Sequence, residues 1–258
     1  MNRRELLKAA AALPLMPTAL ATPALAQSPW PARNITMIVP FPAGGQADLA
    51  ARPVAQALER ILGKSVIVDN RAGGAGGSVG NAQAARADAD GYTLLMTLSS
   101  LAVLPEADRL FDRPVAYEVS QFAPVARVLA DPTLLAVPAS APGTLKQQVD
   151  DGKMRVLANW GSERVQSFPD LPTFKELGYK DVEFYIWAGL FAQKALPDPI
   201  MTRLREAMKQ AVQSPEVVKT FATAGSPVAY LDAPEFSKFV EADSTRLIAA
   251  VKKIGKVE

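Results

Sequence analysis

Short apolar runs alternate with amphipathic stretches along the first hundred residues. Ile35-Thr36-Met37-Ile38-Val39, entered from Asn34 and closed by Pro40, is apolar and β-branched on both faces, which predicts a buried strand. After a loop, residues 48–62 place Leu49, Val54, Leu58, Ile61 and Leu62 on one side, which predicts a helix stopped by Gly63. Pro53 either kinks that helix or marks its first turn. Residues 65–69 read as a second strand, 78–87 as a short helix and 92–97 as a third strand. This succession predicts a parallel sheet with crossover helices.

The C-terminal third is helical and well punctuated. Asp198-Pro199 and Ser214-Pro215 each read as a cap followed by a first-turn proline. Leu204, Met208 and Val212 recur on one face of the first helix, and Gly225 suits the stop of the second. Asp232 with Glu235 resembles a capping box, opening a helix whose buried stripe is Phe236, Phe239, Val240, Leu247, Val251 and Ile254. Between the two ends, residues 133–137, 154–159 and 184–191 read as strands and 171–177 as a helix.

The N-terminus follows a different pattern. Arg3, Arg4 and Lys8 precede an apolar stretch broken by Pro14 and Pro17, and Ala24-Leu25-Ala26 gives the small-x-small pattern of a signal-peptidase site. The arginine pair also resembles a twin-arginine export signal. Residues 1–26 therefore read as a signal peptide cleaved near Ala26, which places the mature chain in the periplasm. The whole chain of 258 residues carries Lys+Arg 28 and Asp+Glu 26; the leader's three basic residues and one acidic residue account for the excess. A neutral mature chain without a basic cluster argues against nucleic-acid binding.

Composition then removes whole classes of chemistry. The sequence has no His and no Cys, so Ser-His-Asp and Cys-His nucleophile systems, His- or Cys-ligated zinc, iron–sulfur clusters and disulfides are excluded. Gly76-Gly77-Ser78-Val79-Gly80 matches the Gly-x-Ser-x-Gly pattern, but the chain has no His to serve such an elbow as base. The reading is a binding protein without cofactor or metal rather than an enzyme; a Ser/Lys hydrolase on the same scaffold is the catalytic alternative.

Phe41-Pro42-Ala43-Gly44-Gly45 lies after a strand and before a helix, where open parallel sheets bind ligands. Glycine allows close backbone approach, and a helix N-terminus offers unpaired N–H groups to a carboxylate or phosphate. Asp48 either orders a ligand or caps the helix. The second glycine loop, Gly73-Gly74-Ala75-Gly76-Gly77 with Gly80 beyond, lacks the Walker lysine and misses the dinucleotide pattern at Val79. Turning and close helix–sheet packing explain its glycines. Thr97, Ser99 and Ser100 end the third strand as candidate hydroxyl contacts, and Trp187 with Gly189 reads as an aromatic wall or as core. The charges at Glu106, Asp108, Arg109, Asp112 and Arg113 read as a solvated helix or turn.

Trp30-Pro31-Ala32-Arg33-Asn34-Ile35-Thr36 running into Val39-Pro40-Phe41-Pro42-Ala43-Gly44-Gly45, then Asp48 and Ala51-Arg52, resembles the Bug/TctC family, the extracytoplasmic solute receptors of tripartite tricarboxylate transporters. Leu62-Gly63-Lys64, Val68-Asp69-Asn70-Arg71, Asp90-Gly91-Tyr92-Thr93, Phe168-Pro169-Asp170-Leu171-Pro172-Thr173 and Trp187-Ala188-Gly189-Leu190-Phe191-Ala192 extend the resemblance over nearly the whole mature chain. It implies a type 2 periplasmic-binding-protein fold, α/β, with two lobes joined by two crossover strands and a cleft that closes by hinge motion. Lobe one would comprise residues 27–131 and 190–258, and lobe two residues 132–189. The ligand would be a small organic acid held largely by backbone N–H groups of Phe41, Pro42's neighbours Ala43 and Gly44, and Gly45. Integral-membrane permease subunits would be the partner; a sensor presenting its ligand to a signalling protein is the alternative.

One departure stands out. Val137-Pro138-Ala139-Ser140-Ala141-Pro142 runs directly into Gly143-Thr144-Leu145-Lys146, skipping several elements the family places there. The expectation is an internal deletion in lobe two, weakened or absent ligand binding, and exposed apolar surface that turns a monomer towards dimers or aggregates.

Overall fold

The computed structural model describes residues 30–137, 150–152 and 155–255. The leader, residues 138–149 across the expected deletion, and Met154 lie outside the described residues. The elements are β1 (Ile35–Val39), α1 (Gln46–Leu62), β2 (Val66–Asn70), α2 (Ser78–Ala85), β3 (Thr93–Leu98), α3 (Ser100–Leu110), β4 (Phe122–Pro132), β5 (Leu134–Val137), β6 (Arg155–Asn159), β7 (Tyr185–Gln193), α4 (Asp198–Gln213), α5 (Pro215–Thr223), β8 (Leu231–Asp232) and α6 (Ala233–Ile254).

Six strands form one sheet in the order β2-β1-β3-β7-β4-β8, and β5 and β6 form a separate antiparallel pair. β1 pairs in parallel with β2 and β3, as the strand–helix alternation predicts. From β3 onward the pairing turns antiparallel, to β7 and then to β4. The C-terminal ends of β1, β3 and β4 therefore share one edge of the sheet.

Both faces of this sheet are buried, and the period-two alternation of side chains divides them. Ile35, Met37, Val39, Leu94, Met96, Ala188 and Leu190 pack with α1, α4 and α5. Ile38, Leu95, Trp187 and Phe191 face Leu101, Phe236 and Val240 on α3 and α6. Pro53 lies inside α1 and is buried there, so it does not mark the first turn. Leu49 is 48% exposed: α1 seats small residues such as Ala47, Ala50 and Ala51 on the sheet and turns Leu49 outward. Ile254, at the last turn of α6, is likewise outside the buried stripe.

Cap chemistry departs from expectation at one helix start and follows it at another. Pro197 is the N-cap of α4, leaving Asp198 in its first turn, where its charge still favours the helix dipole. Asp232 caps α6 by accepting from the Ala233 N–H, and Arg205 donates to both its oxygens at 3.0 and 2.8 Å. The helix expected over residues 171–177 is a single turn. Thr173 and Glu176 exchange the two bonds of a capping box, at 2.7 and 3.0 Å, but Gly178 follows with φ of 90° and ends the coil.

The segment 132–189 expected as lobe two holds β5, β6 and the first half of β7. β7 pairs with β4 from Tyr185 onward, so its residues 185–189 are built into the six-stranded sheet and its core, and the smaller unit ends earlier than the sequence implied. What stands beyond the sheet is the β5–β6 pair, joined to residues 172–174 through Asn159.

Candidate ligand-binding site

The 41–45 loop leaves the sheet at the end of β1 and enters α1 at Gln46. Pro42, Ala43 and Gly44 are exposed, and Gly44 has φ of 81°, a conformation that costs a side-chain-bearing residue free energy. Gly45 is the N-cap of α1 and supplies no side-chain cap, so the first N–H groups of the helix meet the open edge of the sheet.

Asp48 is the brace of this loop. It is 2% exposed and accepts from the Gly44 N–H at 2.8 Å, from Arg52 Nε at 2.8 Å and from Asn70 Nδ2 at 2.9 Å. Asn70 Nδ2 also donates to the Phe41 carbonyl at 3.1 Å, and Arg52 donates to Asn70 Oδ1 at 3.0 Å. Burial pushes the Asp48 carboxyl up, but the bonds from Arg52, Gly44 and Asn70 outweigh it and hold it below the ordinary carboxylate value. The carboxylate is spent on holding loop to helix and strand, so its role is structural order rather than ligand contact.

The second glycine loop supports the first. Gly77 and Gly80 press against Pro40 at the end of β1: a Cβ on Gly80 would stand 2.7 Å from the Pro40 Cβ. Gly73, Gly74, Gly76 and Gly77 all have positive φ. Ser100 Oγ closes the other side by donating to the Gly76 carbonyl at 2.9 Å.

Three candidates turn out to be core. Thr97 is fully buried and donates to Asn81 Oδ1 at 3.0 Å, and Asn81 in turn donates to the Tyr117 hydroxyl. Trp187 is fully buried among Phe191, Phe236 and Phe239, with its Nε1 donating to Asp243 Oδ2 at 2.8 Å; it forms no cleft wall. Gly189 exists for packing, since a Cβ there would lie 2.3 Å from the Phe236 ring. All three point into the sheet's faces instead of beyond its edge. Ser99 lies at the C-terminal end of β3 as the N-cap of α3, 7% exposed, on the edge where the 41–45 loop emerges.

Gln46, Asn70, Asp131 and Ser226 were missed. Only the Asp48–Arg52 pair had a local signal, its i,i+4 spacing. Among the described residues no group of three or more Asp and Glu side chains could hold a metal ion. A cavity of about 720 Å³ opens elsewhere, between residues 175–185 and α6, lined by Lys175, Tyr179, Tyr185, Phe239 and Arg246.

The profile of the tripartite tricarboxylate transporter family receptor, TctC, matches residues 50–150 and 143–256. The two matches overlap at residues 143–150, directly after the Pro142–Gly143 junction. A UPF0065 protein of Agrobacterium vitis, from the TAR-I intergenic region, is 29% identical over 314 residues, covering 94% of this chain and 90% of that protein. That alignment is longer than the chain itself, so the relative carries residues with no counterpart here. The periplasmic binding protein BugD superposes with a TM-score of 0.74 at 24% identity, over 87% of this chain and 98% of BugD. MatC of Rhodopseudomonas palustris, solved with bound malate, gives 0.69 at 22%, over 85% and 99%. These likenesses establish a periplasmic-binding-protein fold with a shortened middle, and the chain belongs to the TctC/Bug receptor family.

Proposed function

We propose that the chain is a periplasmic receptor that binds a small organic carboxylate at the N-terminus of α1. The observation that carries this reading is the Asp48-braced loop: it holds open the uncapped start of α1, whose first backbone N–H groups, with partial positive charge, lie at the sheet edge. A carboxylate needs no arginine there. Malate in MatC is the kind of ligand such a loop suits.

Among the described residues the opposing wall is the β5–β6 pair and the turn behind it. Less of a ligand is removed from water, so binding is weaker than a full cleft would give. The liganded protein would deliver its cargo to integral-membrane permease subunits. Export depends on residues 1–26, and the periplasm is the compartment in which the protein acts.

Thermal melts of residues 27–258 with millimolar malate, succinate and adipate test the reading. Ligand at 100 times its dissociation constant raises stability by about 2.7 kcal/mol. A cooperative melt that no organic acid shifts would sink it.

A further inference from the structure

The end of β4 brings one more acid to the lip of the glycine loop. Asp131 Oδ2 accepts from Gln46 Nε2 at 2.6 Å and from Ser226 Oγ at 2.6 Å. Gln46 is the first residue of α1, and Ser226 follows α5, so three elements converge on a single oxygen. Oδ1 receives no hydrogen bond from any described residue, and it is not among the polar atoms sealed from solvent without a partner. It therefore remains open to solvent, on a carboxylate whose other oxygen is tied to the first residue of α1. Partial burial pushes the carboxyl up, and no cation contributes to its environment.

We infer that Asp131 is a specificity-determining residue of this site, favouring acids that carry a hydroxyl or protonated amine near the bound carboxylate over acids with a second carboxylate there. This rests on the carboxylate reading above. An ionised Asp is an acceptor only, so its free oxygen rewards a donor with a charge-assisted hydrogen bond. A second carboxylate at the same place meets a like charge and loses its hydration. Sites that pair a substrate hydroxyl discriminate against analogues lacking it far better than apolar pockets do. Gln46 and Ser226 fix which oxygen is free, so the preference is built into the junction of α1 and β4 rather than into the loop.

Calorimetry of the mature chain with butyrate, 2-hydroxybutyrate, 3-hydroxybutyrate and succinate reads the preference directly. The expected result is one hydroxy acid binding about tenfold tighter than butyrate, the worth of a hydrogen bond to a charged group, with succinate no tighter than butyrate. In Asp131→Asn the amide oxygen can keep the bonds from Gln46 and Ser226 while its NH2 takes the place of Oδ1. That variant should lose most of the hydroxyl advantage and gain succinate affinity. Equal binding of butyrate and both hydroxy acids by the unaltered chain overturns the inference and leaves the carboxylate site standing. An unchanged ratio in a folded Asp131→Asn also overturns it. Absence of binding by all four acids overturns the carboxylate site and this inference together. The unaltered chain alone decides if the variant does not fold.

Discussion

Asn70 binds Asp48 and the loop that Asp48 braces with the same amide: its Nδ2 donates to Asp48 Oδ1 at 2.9 Å and to the Phe41 carbonyl at 3.1 Å. β2, β1 and α1 thus converge on one side chain. Replacing Asn70 by Ala leaves a buried carboxylate oxygen and a carbonyl short of a donor, at a cost of about 1–3 kcal/mol. Urea denaturation measures the loss.

Asp48 adds a pH dependence. Its folded pKa lies below its ordinary value of 3.8, so it contributes stability that is complete above that value and is lost as pH falls through the folded one. Asp48→Asn should flatten the acid limb of the unfolding curve while lowering stability at neutral pH. An unaltered acid limb would contradict the assignment.

Asp131 has the opposite sign. Burial raises its carboxyl above 3.8 in the fold, so the folded state binds the proton more tightly than the unfolded one. Stability falls as pH rises from the unfolded value through the folded one. Asp131→Asn should raise the melting temperature at pH 7 and have little effect near pH 3, as a pair of melts would record.

Gly189→Ala tests the core. The new methyl would meet the Phe236 ring, itself packed on Trp187 and Phe191, and the rings cannot all yield. Overpacking of this kind costs about 1–3 kcal/mol. A denaturation midpoint equal to that of the unaltered chain would show that the contact relaxes.

Leu135 on β5 and Leu157 on β6 are 38% and 36% exposed, and Leu177 and Tyr179 nearby are more so. All four lie in the segment 132–189, where exposed apolar surface is the expectation for a shortened lobe. Leu135→Ser with Leu157→Ser should reduce self-association in sedimentation velocity without lowering the melting temperature. A chain that is monomeric before the change removes the premise.

Elements with strong periodicity were legible in the sequence, and side chains at their ends were not. β1, β2, β3 and the C-terminal helices follow from runs such as Ile35-Thr36-Met37-Ile38-Val39, because burial on both faces leaves few other solutions. Leu49 and Ile254 fit a helical stripe in one dimension, yet α1 seats Ala47, Ala50 and Ala51 on the sheet instead, and Ile254 falls in the last turn of α6. Trp187 and Gly189 carry a motif whose order hints at a ligand wall; only the pairing of β7 with β4 places them in the core. Gln46, Asp131 and Ser226 are brought together across 85 and 95 residues, with no local pattern to announce the meeting.

The ladder between β4 and β7 runs from Phe122 opposite Gln193 to Pro132 opposite Tyr185. Mechanically the two strands are one beam, clamped by the core along most of its length and free at one end. Past that end Phe184 N–H donates to the Trp160 carbonyl at 2.9 Å, and Trp160 N–H donates to Thr133 at 3.0 Å, so the outgoing and returning chain stay stitched. Any rotation of the β5–β6 pair would be torsion of this free end. A shorter middle of the chain would then shorten the lever arm and spare the pivot.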